Sequence, residues 1–448
     1  MLQKNKYELS IVISPLSDRL TPICLAELQW SKVNAIILAV SSWFFWNFWL
    51  SLFFATTLYL STSTTDFAAF YGAGQSWLSH ANPYINSGSG FGFIYPPTSL
   101  PFFGAFALFN ADTAILLWTV TYFSLFVIAG AALAYTIEGE RRSLFICLIV
   151  LIFFSSFPIL WLIELSQADL LVASITVLAL AAGRLRRRYL SAFILALAVL
   201  LKIDPVFLLI YFVIFRRDWK YLVGFIASLA GVIGVSLFVV PIQWYWYYVV
   251  KILPTQYTDY SMLNDQSVVR FLWYLGLNKV ELQAISMLGL GLFTLFAFYV
   301  SSNRWRNCFG KKTIRGEAMF LMNGLVILFL SPHSLIYPYA WVVLPLALFL
   351  SSLMSESSRF TYLLLVGIAG LLLNSQPTGW TGYFLNSYFV SMLVPTILIG
   401  NSILIVSLIP IYLCPNIIFH SVNPIGGRRV VVPTESLQTK IQIQEPGT

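Results

Sequence analysis

One carboxylate stands at the edge of a long apolar run. Asp66 follows residues 33–60 and opens a polar segment with no Lys or Arg before Arg141. An acid kept near hydrocarbon is costly, so it is a functional-site hypothesis by default; the plain alternatives are a solvated loop acid or a helix N-cap. The segment continues through Tyr71, Asn82-Pro83-Tyr84 and Tyr95-Pro96-Pro97, aromatics and prolines that suggest a shaped pocket. Further along lie Glu164, Gln167 and Asp169 in one short turn, Lys202 and Asp204 at a break in an apolar stretch, Asn264, Gln266 and Arg270 in a long loop, and His333 at another helix break. A carboxylate at the membrane edge can take a proton from a hydroxyl as a general base. A desolvated Lys or Arg pairs strongly with a phosphate oxygen.

Each residue also has a structural reading. Lys202 can snorkel toward water or pair with Asp204. Glu164 and Asp169 can be ordinary helix-end acids, Asn264 and Gln266 plain surface residues, and Arg270 an interfacial anchor beside Phe271, Trp273 and Tyr274. His333 can be a satisfied cap, and the aromatics at 244–248 an interfacial belt.

The elements that must position these residues are membrane helices. The chain of 448 residues is 58% hydrophobic and only 10% charged, with a mean hydropathy of +0.80. A soluble domain carries roughly 25% charged residues. Runs long enough to span, about 20 residues, occur at 33–60, 112–136, 143–163, 167–183, 219–240, 284–302, 316–331, 335–354, 360–374 and 388–413. Residues 98–109 are too short and read as re-entrant or interfacial. Residues 189–215 form two apolar pieces interrupted at Lys202-Ile203-Asp204-Pro205. The expected fold is an all-α bundle of about 10–12 membrane helices with short interfacial helices on its outer face.

The net charge of +8 is no nucleic-acid signal, because the basic residues fall in short clusters between apolar runs. Clusters at Lys4–Lys32, Arg141/Arg142, Arg184–Arg188, Arg216/Arg217/Lys220, 304–315, Arg359 and Arg428/Arg429 belong on the cytoplasmic side by the positive-inside rule. Every candidate residue above then falls toward the opposite face, where randomly placed polar residues would scatter over both. Arg clusters flank 189–215 on both sides, so this segment must enter and leave from the cytoplasm. Three segments follow: a cytoplasmic one at 1–32, a membrane domain at 33–414 and a polar, disordered tail at 415–448. No cleavable signal peptide is evident. The four cysteines, Cys24, Cys147, Cys308 and Cys414, lie far apart and predict neither disulfide nor metal cluster.

A base at the membrane edge and a cation for a phosphate describe sugar transfer from a lipid-phosphate donor. The competing class is a solute transporter or lipid flippase, which also carries intramembrane charge; the absence of any internal repeat argues weakly against inverted-repeat transporters.

The ordered set Asp66-x4-Tyr71, Asn82-Pro83-Tyr84, Tyr95-Pro96-Pro97, Gln167-x-Asp169, Lys202-x-x-Pro205, Arg216-Arg217-x-Trp219, Asn264-x-Gln266-Ser267 with Arg270, and Leu330-Ser331-Pro332 resembles the family-87 glycosyltransferases of the GT-C superfamily. The resemblance implies an inverting transfer from a polyprenyl-phosphate sugar, usually mannose, to a lipid or glycan hydroxyl on the non-cytoplasmic face of the plasma membrane. Partners would be that donor, the acceptor and membrane lipids, with no nucleic acid, cofactor or metal. Asp66 matches the catalytic base and Lys202 the residue that holds donor phosphate. Gln167, Asp169, Arg270 and His333 join the donor subsite; Tyr71, Tyr84, Tyr95, Asn264 and Gln266 line the acceptor pocket. Two departures stand out. The usual Gly-Gln-x-Asn turn reads Ser166-Gln167-Ala168-Asp169, and a His-His pair after Leu-Ser-Pro is replaced by Tyr337-Pro338.

Overall fold

Residues 66–85, 92–256, 267–301, 312–331, 337–355 and 396–409 are described by a computed structural model. The predicted segments 33–60 and 360–374, both termini, and Asn264, Gln266 and His333 lie outside the described residues. Every regular element among the described residues is helical, as an all-α membrane bundle requires. In hydrocarbon a helix satisfies its own backbone, which an open strand cannot do.

The helices, in chain order, are α1 (Phe67–Leu78), α2 (Leu100–Ala107), α3 (Ala111–Tyr135), α4 (Glu140–Ser155), α5 (Phe157–Leu165), α6 (Asp169–Arg184), α7 (Arg188–Leu201), α8 (Trp219–Ser236), α9 (Ile242–Tyr247), α10 (Leu253–Gln256), α11 (Val268–Tyr274), α12 (Lys279–Val300), α13 (Lys312–Leu330), α14 (Val343–Ser355) and α15 (Thr396–Leu408). Among the described residues, four stretches are long and apolar enough to cross a membrane: Ala111–Tyr135, Trp219–Ser236, Lys279–Val300 and Pro338–Ser355.

The apolar run 143–163 is not one helix. Its backbone turns extended at Ser156, and α5 restarts with Pro158 in its first turn, where proline's missing N–H costs nothing. The short run after Pro97 folds as α2 against α1. Gly104 makes this approach possible, since a Cβ there would lie 2.3 Å from the Trp77 ring.

α6 is the axis of the bundle. Nearly all its residues are buried, and it packs against α3, α7 and the short 3-10 helix Tyr337–Val342 that precedes α14. Sixteen residues give it a length of about 24 Å, so its two ends are well separated. Arg184, at its C-terminus, sits with Arg141 and Glu317. Arg217 bonds Ser301 there, and Arg188 bonds Asp218. The basic clusters thus gather at one end of the bundle, and the N-terminus of α6 marks the other.

The interrupted segment 189–215 is a hairpin. α7 runs out from Arg188, the chain breaks at Lys202, and Asp204–Leu208 and Ile210–Phe215 bring it back as irregular helix. Its base is closed by Arg188 and Asp218, 3.3 Å apart. A broken helix leaves backbone groups that hydrocarbon cannot satisfy. Asn323, buried in α13, meets two of them: its Oδ1 accepts from Tyr211 N–H at 3.0 Å and its Nδ2 donates to Phe207 carbonyl at 3.3 Å. Thr98 donates to the Leu200 carbonyl at 2.7 Å, just before the tip.

Candidate active site

Four chain segments converge at the N-terminal end of α6. The first is the turn from α5. Ser166 adopts a left-handed backbone, φ 52°, which costs a non-glycine residue about 1 kcal/mol. In return the N–H groups of Ser166 and Gln167 cap the carbonyls of Ile163 and Leu162, a Schellman-type closure, while the Ser166 carbonyl accepts from buried Trp118 Nε1 at 2.9 Å. This turn places Gln167 at its tip and Asp169 in the first turn of α6, where the helix dipole favours an acid.

The second segment is Asp66. Its N–H donates to the Leu165 carbonyl at 3.0 Å, which ties the start of α1 to the α5–α6 turn. It precedes α1, yet its side chain makes no capping bond. Its Oδ2 instead accepts from Gln167 Nε2. The N-cap alternative therefore does not describe what this side chain does. Asp66 stands outside the spanning helices and is half-buried. Burial holds its carboxyl above the ordinary aspartate value, the Gln167 hydrogen bond and Lys202 oppose that rise, and Asp169 adds to it. A carboxylate moved in this direction is a stronger base.

The third segment is the hairpin tip. Lys202 Nζ lies 2.8 Å from Asp169 Oδ1 and 3.8 Å from Asp204 Oδ2. Asp169 is fully buried. Its Oδ1 also accepts from Trp341 Nε1 at 3.1 Å, and the Trp341 ring lies 5.9 Å from the Lys202 ammonium. Asp169 Oδ2 finds no hydrogen-bond partner among the described residues. Trp341 has no counterpart among the sequence candidates; an indole in an apolar run carries no signal of its own.

The fourth segment is the Tyr-Pro-Pro strap before α2. The Tyr95 hydroxyl donates to Gln167 Oε1 at 3.3 Å, and Tyr84 donates to the Tyr95 carbonyl at 2.9 Å. Asn82 Oδ1 accepts from the Tyr84 N–H at 3.0 Å, an Asx turn of the kind Asn-Pro favours. The strap's aromatics pack together as a core behind the turn. Phe70 stacks on Phe103 at 4.8 Å and meets the Tyr95 ring edge-on at 5.0 Å. Tyr71 gives its hydroxyl to the Phe109 carbonyl at 2.8 Å.

Among the sequence candidates, then, Asp66, Gln167, Tyr95, Asp169, Lys202 and Asp204 form one connected cluster. Arg270 lies in α11, which packs on α12 and α13. Ser286 of α12 donates to the Leu330 carbonyl at 3.0 Å, so the Leu330-Ser331 end of α13 faces away from the Glu317 cluster. The model of Glycosyltransferase family 87 matches residues 93–332, more than half of the chain and all of this cluster except Asp66 and Trp341. The chain belongs to glycosyltransferase family 87. It is therefore a membrane glycosyltransferase, which settles the question against a transporter that moves no sugar. No curated protein matches the chain. Asp66 lies ahead of the family match, and its hydrogen bond to Gln167 joins it to the matched region.

Proposed function

We propose that this family-87 enzyme is an inverting hexosyltransferase that uses a polyprenyl-phosphate donor, mannose being the sugar the resemblance favours. The acceptor is a hydroxyl of a lipid or glycan. Asp66 takes the hydroxyl proton as the acceptor oxygen attacks the anomeric carbon. The bond from that carbon to the phosphate oxygen breaks, and polyprenyl phosphate leaves with the electron pair. Lys202 balances the charge that grows on the departing phosphate, and Asp169 with Trp341 holds the ammonium in place. Arg270 and His333 complete the donor subsite, while Asn264 and Gln266 join the acceptor side. The reaction face is non-cytoplasmic in the plasma membrane, opposite the basic clusters.

The observation that carries this reading is the Asp66–Gln167 hydrogen bond. It holds a half-buried carboxylate, made more basic by burial, beside the pair of half-buried Lys202 and buried Asp169. A fold that wanted only a helix cap there would have used the carboxylate on α1.

The test is direct. Purified protein is incubated with radiolabelled polyprenyl-phosphate sugars and a membrane lipid extract, with Asp66→Asn alongside. Labelled glycolipid from the wild type and none from the variant is the expected result. Product from a nucleotide sugar alone, or equal product from both proteins, would reject the reading.

A further inference from the structure

One helical stretch between α8 and α12 takes no part in the cluster round Lys202. α8 starts beside Asp218 and α12 ends at Val300. Both points lie at the basic end of the bundle, where Asp218 meets Arg188 and Ser301 meets Arg217. The chain between these two spans therefore stays at the other end, with the N-terminus of α6. There α9, the π-helical turn Tyr248–Ile252 and α10 follow one another without a break. At 1.5 Å per residue, residues 242–256 reach about 22 Å, short of the roughly 30 Å of hydrocarbon that a span must cross.

The two sides of this stretch differ. Trp244 and Tyr248 are buried. The Tyr84 ring stacks on Tyr247 at 5.8 Å and meets Tyr248 at 6.1 Å, while its hydroxyl holds the Tyr95 carbonyl. The corner before α9 is pinned by Trp77 Nε1, which donates to the Val239 carbonyl at 3.1 Å, and by a hydrogen bond between the Ser236 and Tyr245 hydroxyls. The opposite side is apolar and exposed. Ile242, Trp246, Val249 and Val250 fall at i, i+4, i+7 and i+8, one face of a helix, and are 72%, 71%, 54% and 42% exposed. The aromatics at 244–248, a single belt by sequence, are thus divided between an inner and an outer face.

An exposed apolar patch marks a protein or a membrane contact, and continuity decides for lipid. The patch runs back through Val239, Phe238 and Val235, all exposed, onto α8, which is long and apolar enough to span. Lipid surrounding that span meets Ile242 and Trp246 next. Trp is favoured at the membrane–water boundary, and an in-plane helix buries its apolar face about 5–10 Å into that boundary. We propose that residues 242–256 lie in the membrane interface opposite the basic clusters, with Ile242, Trp246, Val249 and Val250 against lipid. The inner face then holds Tyr84, and through it the Tyr95 carbonyl, at headgroup depth. This contact does not depend on the role given to Asp66.

Spin labels test it directly. Single cysteines replace Ile242, Trp246 and Val249 in the full chain, its four native cysteines changed to serine, with a reference label at Ile226 midway along α8. The protein is studied in phosphatidylcholine vesicles. The three labels should collide more with oxygen, which concentrates in lipid, than with a water-soluble nickel chelate, and should sit shallower than Ile226. Collisions dominated by the chelate would place the face in water and overturn the proposal. Labels closed to both reagents would put protein there, another part of the chain or a second copy, and overturn it equally. Labels as deep as Ile226 would reject an in-plane helix. Should the cysteine variants fail to fold, Trp246→Phe answers the same question by fluorescence. The emission it removes should be emission that lipids brominated near the headgroup quench and aqueous iodide does not; removal of an iodide-quenched component instead would sink the assignment.

Discussion

The two ends of α6 carry acid–base clusters of opposite character. At the C-terminal end, Glu317 is met by Arg141 at 2.5 Å, by Arg184 at 2.8 Å and by Ser352 through its second oxygen. Arg184 also bonds Thr136, and Arg141 bonds Ser351. One acid is saturated by two bases, and α4, α6, α13 and α14 are fastened together. At the N-terminal end the ratio reverses. Asp66, Asp169 and Asp204 gather round Lys202, and a carboxylate oxygen of buried Asp169 is left without a hydrogen-bond partner among the described residues. A saturated cluster has nothing left to offer a substrate. An acid-rich one with an unmet oxygen is where donors from outside can be accommodated, and unmet or shifted groups concentrate at working sites.

The comparison can be broken at either end. The largest expected effect is on chemistry: Asp66→Asn should lower transfer by about a hundredfold or more with little change in thermal unfolding. Comparable losses of activity and stability would move Asp66 into the structural class. Glu317→Ala should do the reverse. It leaves two partly buried guanidinium groups facing each other, at a cost of about 3 kcal/mol, seen as a lower unfolding temperature in detergent; an unchanged melt would remove the fastening role. Lys202→Ala should raise the donor KM by about tenfold, with a smaller effect on the acceptor KM, and unaltered donor kinetics would discharge Lys202 from phosphate binding. The smallest effect is expected from Asn323→Leu, which strips two hydrogen bonds from the hairpin backbone. About 1 kcal/mol should be lost, and hydrogen exchange at Tyr211 should quicken; an amide as slow as in the wild type would show that the hairpin supports itself.

Much of this arrangement is legible in the sequence. Composition and apolar run lengths give the all-helical membrane bundle. The Arg clusters on both flanks of 189–215 demand a segment that returns to its starting side, and Lys202-Ile-Asp-Pro205 marks its tip. Gln167 and Asp169 are recognisable as a polar turn between two spans. The contacts themselves are not legible. Asp66 and Gln167 are 101 residues apart, and helical periodicity says which face of a helix is apolar, not which neighbour it meets. Glu317 and Asn323 did carry a signal, since polar groups in an apolar run are expensive, but only the packed bundle shows that one fastens helices and the other feeds a broken backbone. Pro158 marks the restart within 143–163, a signal that run length and hydropathy alone do not carry. The aromatics of the strap suggest a pocket; the fold shows in addition that the Tyr95 ring meets Phe70 edge-on, where Phe70 stacks on Phe103.

The hairpin closed by Arg188 and Asp218 has an architectural consequence. A loop that goes out and comes back adds no net crossing, so the direction of every later helix is indifferent to it. Its apex can be lengthened or shortened without turning the remainder of the chain inside out. A framework of this kind keeps its wiring constant whatever the length of this one finger.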